Sequence, residues 1–206
     1  MKMKILSIAT GYVSENCYIL TAGSTLYVID PGADPQAVCG AISKFDGSFD
    51  NIEILLTHAH ADHIGAVGEL CRKLNVSAVR LGKEDKAVYH SPDNSFPPFI
   101  PLAEDLPETC EYTENSDYNV ISCPGHTPGG VSLLFDFDGE KHLFTGDTLF
   151  AGSIGRTDFE GGNMQDMTAT LKMLCRLPDD IIIHPGHGPE STIGRERSTN
   201  CYLTGL

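Results

Sequence analysis

The feature that most restricts this chain is the run Thr57-His58-Ala59-His60-Ala61-Asp62-His63, which sets three imidazoles and a carboxylate within six residues. It directly follows the apolar segment Ile52-Glu53-Ile54-Leu55-Leu56, so a β-strand delivers these side chains to a loop at its C-terminal end. In an extended segment His58 and His60 project to one side and suit one ion, while Asp62 and His63 lie past the bend and suit a second. The competing reading is a solvated polar loop. It is outweighed because other strand ends supply further ligands.

Those strand ends emerge from the apolar patterning. Strands are expected at 4–9, 16–21, 25–29, 52–56, 76–81, 118–122, 131–137, 141–145 and 181–183, with turns at Ala22-Gly23-Ser24 and Asp138-Gly139. Helices are expected at 35–45, capped by Asp34, at 63–74 and at 164–177, the last ended by Pro178. Ser122 leads into Cys123-Pro124-Gly125-His126, Thr145 into Gly146-Asp147, and Ile183 into His184-Pro185-Gly186-His187. The proline-rich stretch 91–107 reads as a surface loop. Its Phe96 and Phe99 either wall a site or belong to a packed connector.

Composition bounds the function. The 206 residues suffice to bury roughly 70% of the unfolded surface in one core, so a single domain over 1–206 is expected. A net charge of −14, with Asp and Glu outnumbering Lys and Arg by 28 to 14, argues against nucleic acid as a partner. No apolar run approaches the ~20 residues of a membrane span. Met1-Lys2-Met3-Lys4 mimics the start of a signal peptide, but the apolar run after it is short and a first strand fits better. Seven cysteines, odd in number and without a C-x-x-C pair, point to reduced thiols and a cytoplasmic setting.

His58-x-His60-x-Asp62-His63, then His126, Asp147 after Gly146, and His187 within Pro-Gly-His-Gly resemble in order and spacing the motifs of the metallo-β-lactamase-fold hydrolases. Within them the chain is most similar to short bacterial relatives of glyoxalase II, the hydroxyacylglutathione hydrolases. The resemblance spans nearly the whole chain. It implies a four-layer αβ/βα sandwich of two mixed sheets with helices outside, without the family's C-terminal glutathione-binding helical domain. It also implies two divalent metals, zinc first, with iron or manganese as alternatives. His58, His60 and His126 would hold one, Asp62, His63 and His187 the other, and Asp147 would bridge them, a shared hydroxide being the nucleophile. Class B β-lactamases resemble this pattern with a cysteine where Asp147 stands, so antibiotic hydrolysis is disfavoured.

Asp30, at a strand end, is a candidate to orient a ligand histidine, or else a turn former. His90, His142 and His184 match no family ligand, and Cys123 reads as packing. Glyoxalase II binds glutathione through a basic residue nine positions after the bridging aspartate, which Arg156 matches. Asp158 and Pro189 stand where its tyrosines would be. Arg156 is thus either a carboxylate anchor for the substrate or a salt bridge to Asp158. The implied activity is hydrolysis of a small-molecule thioester such as S-lactoylglutathione. A mononuclear iron persulfide dioxygenase is the alternative, and a phosphodiesterase or nuclease is further off.

Overall fold

The computed structural model describes residues 4–45 and 49–206, in two compact units, Met1–Tyr112 and Thr113–Leu206. The first unit opens with strands β1 (Ile5–Thr10), β2 (Glu15–Ala22) and β3 (Thr25–Ile29), joined antiparallel. Helix α1 (Pro35–Ile42) then carries the chain back so that β4 (Asn51–Leu55) adds parallel to β3. Helices α2 (Ala61–Ile64) and α3 (Val67–Lys73) do the same for β5 (Val76–Arg80), and a single 3-10 turn at Lys83–Asp85 leads into α4 (Lys86–Tyr89). The sheet order β1-β2-β3-β4-β5 is therefore mixed.

Leu26 and Val28 of β3 and Ile54 of β4 alternate onto one face and pack with Val38 and Ile42 of α1 and Val67 and Leu70 of α3. Tyr27 and Ile29 on the opposite face are buried too. This is why β3 reads as a continuous apolar run rather than an alternating one.

All three expected helices differ from what forms, the one at 164–177 by ending at Leu174. The spacing over 63–74 predicts one helix, but the Ala66 amide donates to Pro31 O at 2.9 Å instead of completing a helical turn, and the segment breaks into α2 and α3. Asp34 holds the N-cap position of α1 without a side-chain cap; its Oδ2 accepts from the Gly11 amide at 2.9 Å. That helix ends at Ile42, and positions 46–48 fall outside the described residues.

The second unit contains β6 (Tyr118–Ser122), β7 (Val131–Phe137), β8 (Glu140–Gly146), a small ribbon of β9 (Leu149–Phe150) and β10 (Ser153–Ile154), helix α5 (Met164–Leu174), β11 (Ile182–Pro185), β12 (Ser191–Thr192) and α6 (Ile193–Thr199). Its sheet runs β12-β11-β8-β7-β6, with β11 parallel to β8 and the other pairs antiparallel. Asp138 and Gly139, at φ 54° and 93°, form the tight turn that the Asp-Gly pair predicts. Asn163 caps α5 by accepting from the amides of Gln165 and Asp166.

Leu143 and Ile183 of the central parallel pair meet Met167, Leu171 and Leu174 of α5 and Ile193 of α6. Helix α6 has no counterpart in the sequence reading. It is pinned by buried Glu196, whose carboxylate accepts from the Gly152 amide and the Asn200 side chain.

Candidate metal centre

In the first unit β4 ends at Leu55, and the chain passes through Leu56 and Thr57 to the histidine loop. Asp30, at the end of the adjacent β3, is almost fully buried and organises that loop. Its Oδ1 accepts from the Thr57 amide at 2.7 Å, and its Oδ2 accepts from the Thr57 hydroxyl at 2.6 Å. The same Oδ2 stands 3.1 Å from His63 Nδ1, and Thr57 Oγ1 stands 3.1 Å from His58 Nδ1. An ionised carboxylate only accepts, so His63 Nδ1 carries a proton. The Thr57 hydroxyl spends its hydrogen on Asp30, so His58 Nδ1 is a donor as well. Both imidazoles therefore present an Nε2 lone pair, the form that binds metal.

The loop is held from the other side by residues that carry no motif. The Ala59 amide donates to Oδ2 of fully buried Asp85 at 3.1 Å, and Asn94 accepts from the Ala61 amide while donating to Ala59 O. In the sequence Asp85 sits inside Lys83-Glu84-Asp85-Lys86 and reads as a solvated charge, and Asn94 lies in the proline-rich stretch. Neither signals its role locally. Gly32 is required here because a Cβ would stand 1.6 Å from Asp62 O. Buried Glu15 adds a carboxyl 3.9 Å from His63 Nδ1, and burial raises its pKa well above the usual range.

In the second unit β8 and β11 run parallel, so their C-terminal ends lie side by side and deliver Asp147 and His187 together. His126 enters from the end of β6, on a loop closed by Cys123 N–H donating to Gly130 O at 2.8 Å. Its Nδ1 lies 2.7 Å from Arg156 O, an acceptor only, so His126 also presents Nε2. That Nε2 lies 3.6 Å from Asp147 Oδ2, and Nε2 of His187 lies 3.7 Å from the same oxygen. Both distances exceed hydrogen-bond range. They approach the ~3.4 Å between two ligands bound to one ion at about 2.1 Å with a tetrahedral angle. Gly155 lets the backbone close in, since a Cβ there would meet Asp147 O at 1.7 Å.

The Arg156 side chain forms the salt bridge to Asp158 that the sequence offers as one of its two readings. Its guanidinium grips Asp158 through two bonds of 2.7 Å and lies over the Phe159 ring at 3.9 Å. The pairing holds the exposed Asp158 carboxyl down at about 2. What Arg156 brings to the site is its backbone carbonyl. His142 and His184 form a buried pair, Nδ1 to Nε2 at 2.8 Å, stacked on Phe144. Burial lowers both, His184 to about 3. Cys123 is buried against Ser132, which fits packing. All seven cysteines are free thiols. Among the described residues, no helix is long and apolar enough to cross a membrane.

Residues 10–187 match the family model of the metallo-beta-lactamase superfamily, and the chain belongs to that superfamily. It is 32% identical to the hydroxyacylglutathione hydrolase GloC of Haemophilus influenzae, over 98% of each chain. A structure solved in a di-iron-bound form is 33% identical with a TM-score of 0.84, covering 96% of this chain and all of the other. The BLEG-1 B3 metallo-beta-lactamase is 30% identical with a TM-score of 0.77, covering 98% of this chain and all of that one. The fold is thus the metallo-β-lactamase fold expected from the motifs, and the chain is a metallo-hydrolase carrying the His/Asp cluster of that superfamily.

Proposed function

We propose that this metallo-hydrolase is a thioesterase using two divalent ions, one taken by His58, His60 and His126, the other by Asp62, His63 and His187, with Asp147 shared. The observation that carries the reading is Asp147 itself: one oxygen lies 3.6 Å from Nε2 of His126 and 3.7 Å from Nε2 of His187, the spacing of a carboxylate that serves two ions. The family match over residues 10–187 takes in all seven residues and supports the set. The identity to GloC supports a thioester substrate. The donor set suits zinc, iron or manganese, and the di-iron-bound neighbour adds weight to iron.

When bound, such ions would polarise a substrate carbonyl and lower the pKa of a water to about 7. The protein's own groups prepare for this. Asp30 holds the Nδ1 proton of His63 and, through Thr57, that of His58, turning each Nε2 toward the ions, and Arg156 O does the same for His126. Asp62 and Asp147 bring negative charge to offset that of the ions. In the net reaction a water oxygen joins the acyl carbon, the carbon–sulfur bond breaks, the sulfur leaves as a thiolate, and the two protons of the water pass to solvent as the acid ionises. With a parent pKa near 8.5, that thiolate needs no positioned general acid.

A second reading, β-lactam hydrolysis, is favoured by the 30% identity to the B3 enzyme. The test loads the protein with zinc or iron, counts bound metal, and assays S-lactoylglutathione, an N-acetylcysteamine thioester and a chromogenic cephalosporin. Two ions per chain, thioester cleavage, and loss of metal and of most of the rate in Asp147→Ala are expected. Cleavage of the cephalosporin alone would select the second reading. One iron per chain with oxygen uptake on a persulfide would select the dioxygenase.

A further inference from the structure

The first unit contains a cavity of about 240 Å³ that Asp62 borders and whose other lining residues have no ligand role. Tyr12 and Val13, at the tip between β1 and β2, form one wall, and Phe99, Ile100 and Leu102 from the proline-rich stretch form the other. The Tyr12 and Phe99 rings meet at 4.9 Å. Tyr12 is 75% exposed, and Val13, Phe99 and Leu102 are at least 40% exposed, a concentration of apolar surface that soluble domains reserve for binding. The walls are built rather than draped. The Gly11 amide donates to Asp34, the Ala33 amide donates to Thr10 Oγ1 at 3.1 Å, and Phe96 and Ile100 exchange backbone hydrogen bonds.

Two properties define the occupant. The charged residues of the lining are Asp34, Asp62 and Glu69, all acidic, with no lysine, arginine or histidine among them. An anionic group entering there meets like charge. The volume is below the roughly 300–1,000 Å³ that encloses a whole drug-sized ligand, so the cavity takes one arm of a molecule, and among the proposed ligands it borders Asp62. We propose that it is the acyl subsite, selecting short, straight, uncharged acyl groups from butanoyl to hexanoyl over carboxylate-bearing ones. This rests on the thioesterase reading for the chemistry but not for the binding.

The experiment uses zinc-loaded protein and N-acetylcysteamine thioesters of acetate, butanoate, hexanoate and succinate. Expected is a rise in kcat/KM of about threefold per added methylene. Succinyl should fall at least about tenfold below butanoyl. In Phe99→Ala and Tyr12→Ala the chain-length dependence should flatten, the hexanoyl-to-acetyl ratio of kcat/KM falling toward one. Both side chains are exposed, so folding is not at stake. Saturation-transfer NMR with hexanamide against acetamide reads binding without turnover. Hexanamide bound in a Phe99-dependent way with no thioester cleaved would keep the subsite and remove the thioesterase reading. Thioesters cleaved with no chain-length dependence, or succinyl preferred, would overturn the subsite.

Discussion

A single oxygen of Asp30 accepts from the Thr57 hydroxyl at 2.6 Å and lies 3.1 Å from Nδ1 of His63. Through Thr57 that one carboxylate also decides which nitrogen of His58 carries the proton. In Asp30→Asn the amide keeps the size but replaces one accepting oxygen with a donor. Affinity for metal should fall between about 10- and 100-fold, the usual cost of removing an orienting partner, with little change in the far-UV CD spectrum. Competition with a chromogenic chelator measures this. Unchanged affinity would mean that Thr57 and Asp30 merely tie two strand ends together.

Gly32 abuts the carbonyl of Asp62, and the Cβ of an alanine would stand 1.6 Å from that oxygen. A backbone atom cannot swing aside like the end of a side chain. Gly32→Ala should destabilise the protein by about 3 kcal/mol, lowering Tm by roughly 6–12 °C in a chain of this size. Metal content should drop with it, since the displaced residue carries a proposed ligand. Thermal unfolding beside elemental analysis checks both, and a Tm within a degree of the parent would refute the steric account.

Arg156→Ala removes a guanidinium already committed to exposed Asp158 and leaves the carbonyl that accepts from His126. The kcat/KM should change by less than about threefold, and equally for carboxylate-bearing and neutral thioesters. A selective loss on the carboxylate-bearing ones, in parallel steady-state assays, would restore this side chain as an anchor.

Burial keeps His184 neutral in the folded protein down to about pH 3, whereas in the unfolded chain it takes up a proton near 6.5. Below 6.5 the unfolded state thus binds more protons than the native state, and stability falls with falling pH at up to about 1.4 kcal/mol per unit. The lowered pKa of His142, bonded to it, acts in the same direction. Urea unfolding of the parent and of His184→Gln between pH 4.5 and 6 isolates the effect of this pair, because the histidines other than its partner His142 contribute equally to both. The variant should show the shallower slope; equal slopes would assign the acid sensitivity elsewhere.

Much of this was legible locally. β3 and β7 match their expected bounds residue for residue, because apolar runs bounded by turn residues carry their own limits. The proposed ligands could be picked out because each follows a strand, and four of them fall within six residues after β4. Where the reading missed, the deciding partner was distant in sequence. The break between α2 and α3 comes from Ala66 donating to Pro31, and the absent side-chain cap of α1 from Asp34 turning to Gly11. Asp85 and Asn94 brace the histidine loop from positions whose neighbours say nothing of it.

By itself, then, the sequence determined the superfamily, the strand that launches the histidine loop and the inventory of donor groups, since these depend on residue type and on periods of two or 3.6. Only the tertiary structure decided which nitrogen His58, His63 and His126 offer and that the Arg156 guanidinium pairs with its neighbour. It also set which apolar side chains gather beside Asp62. Hydrogen-bond direction, desolvation and steric closeness arise from groups meeting across tens of residues, and no local pattern encodes those meetings.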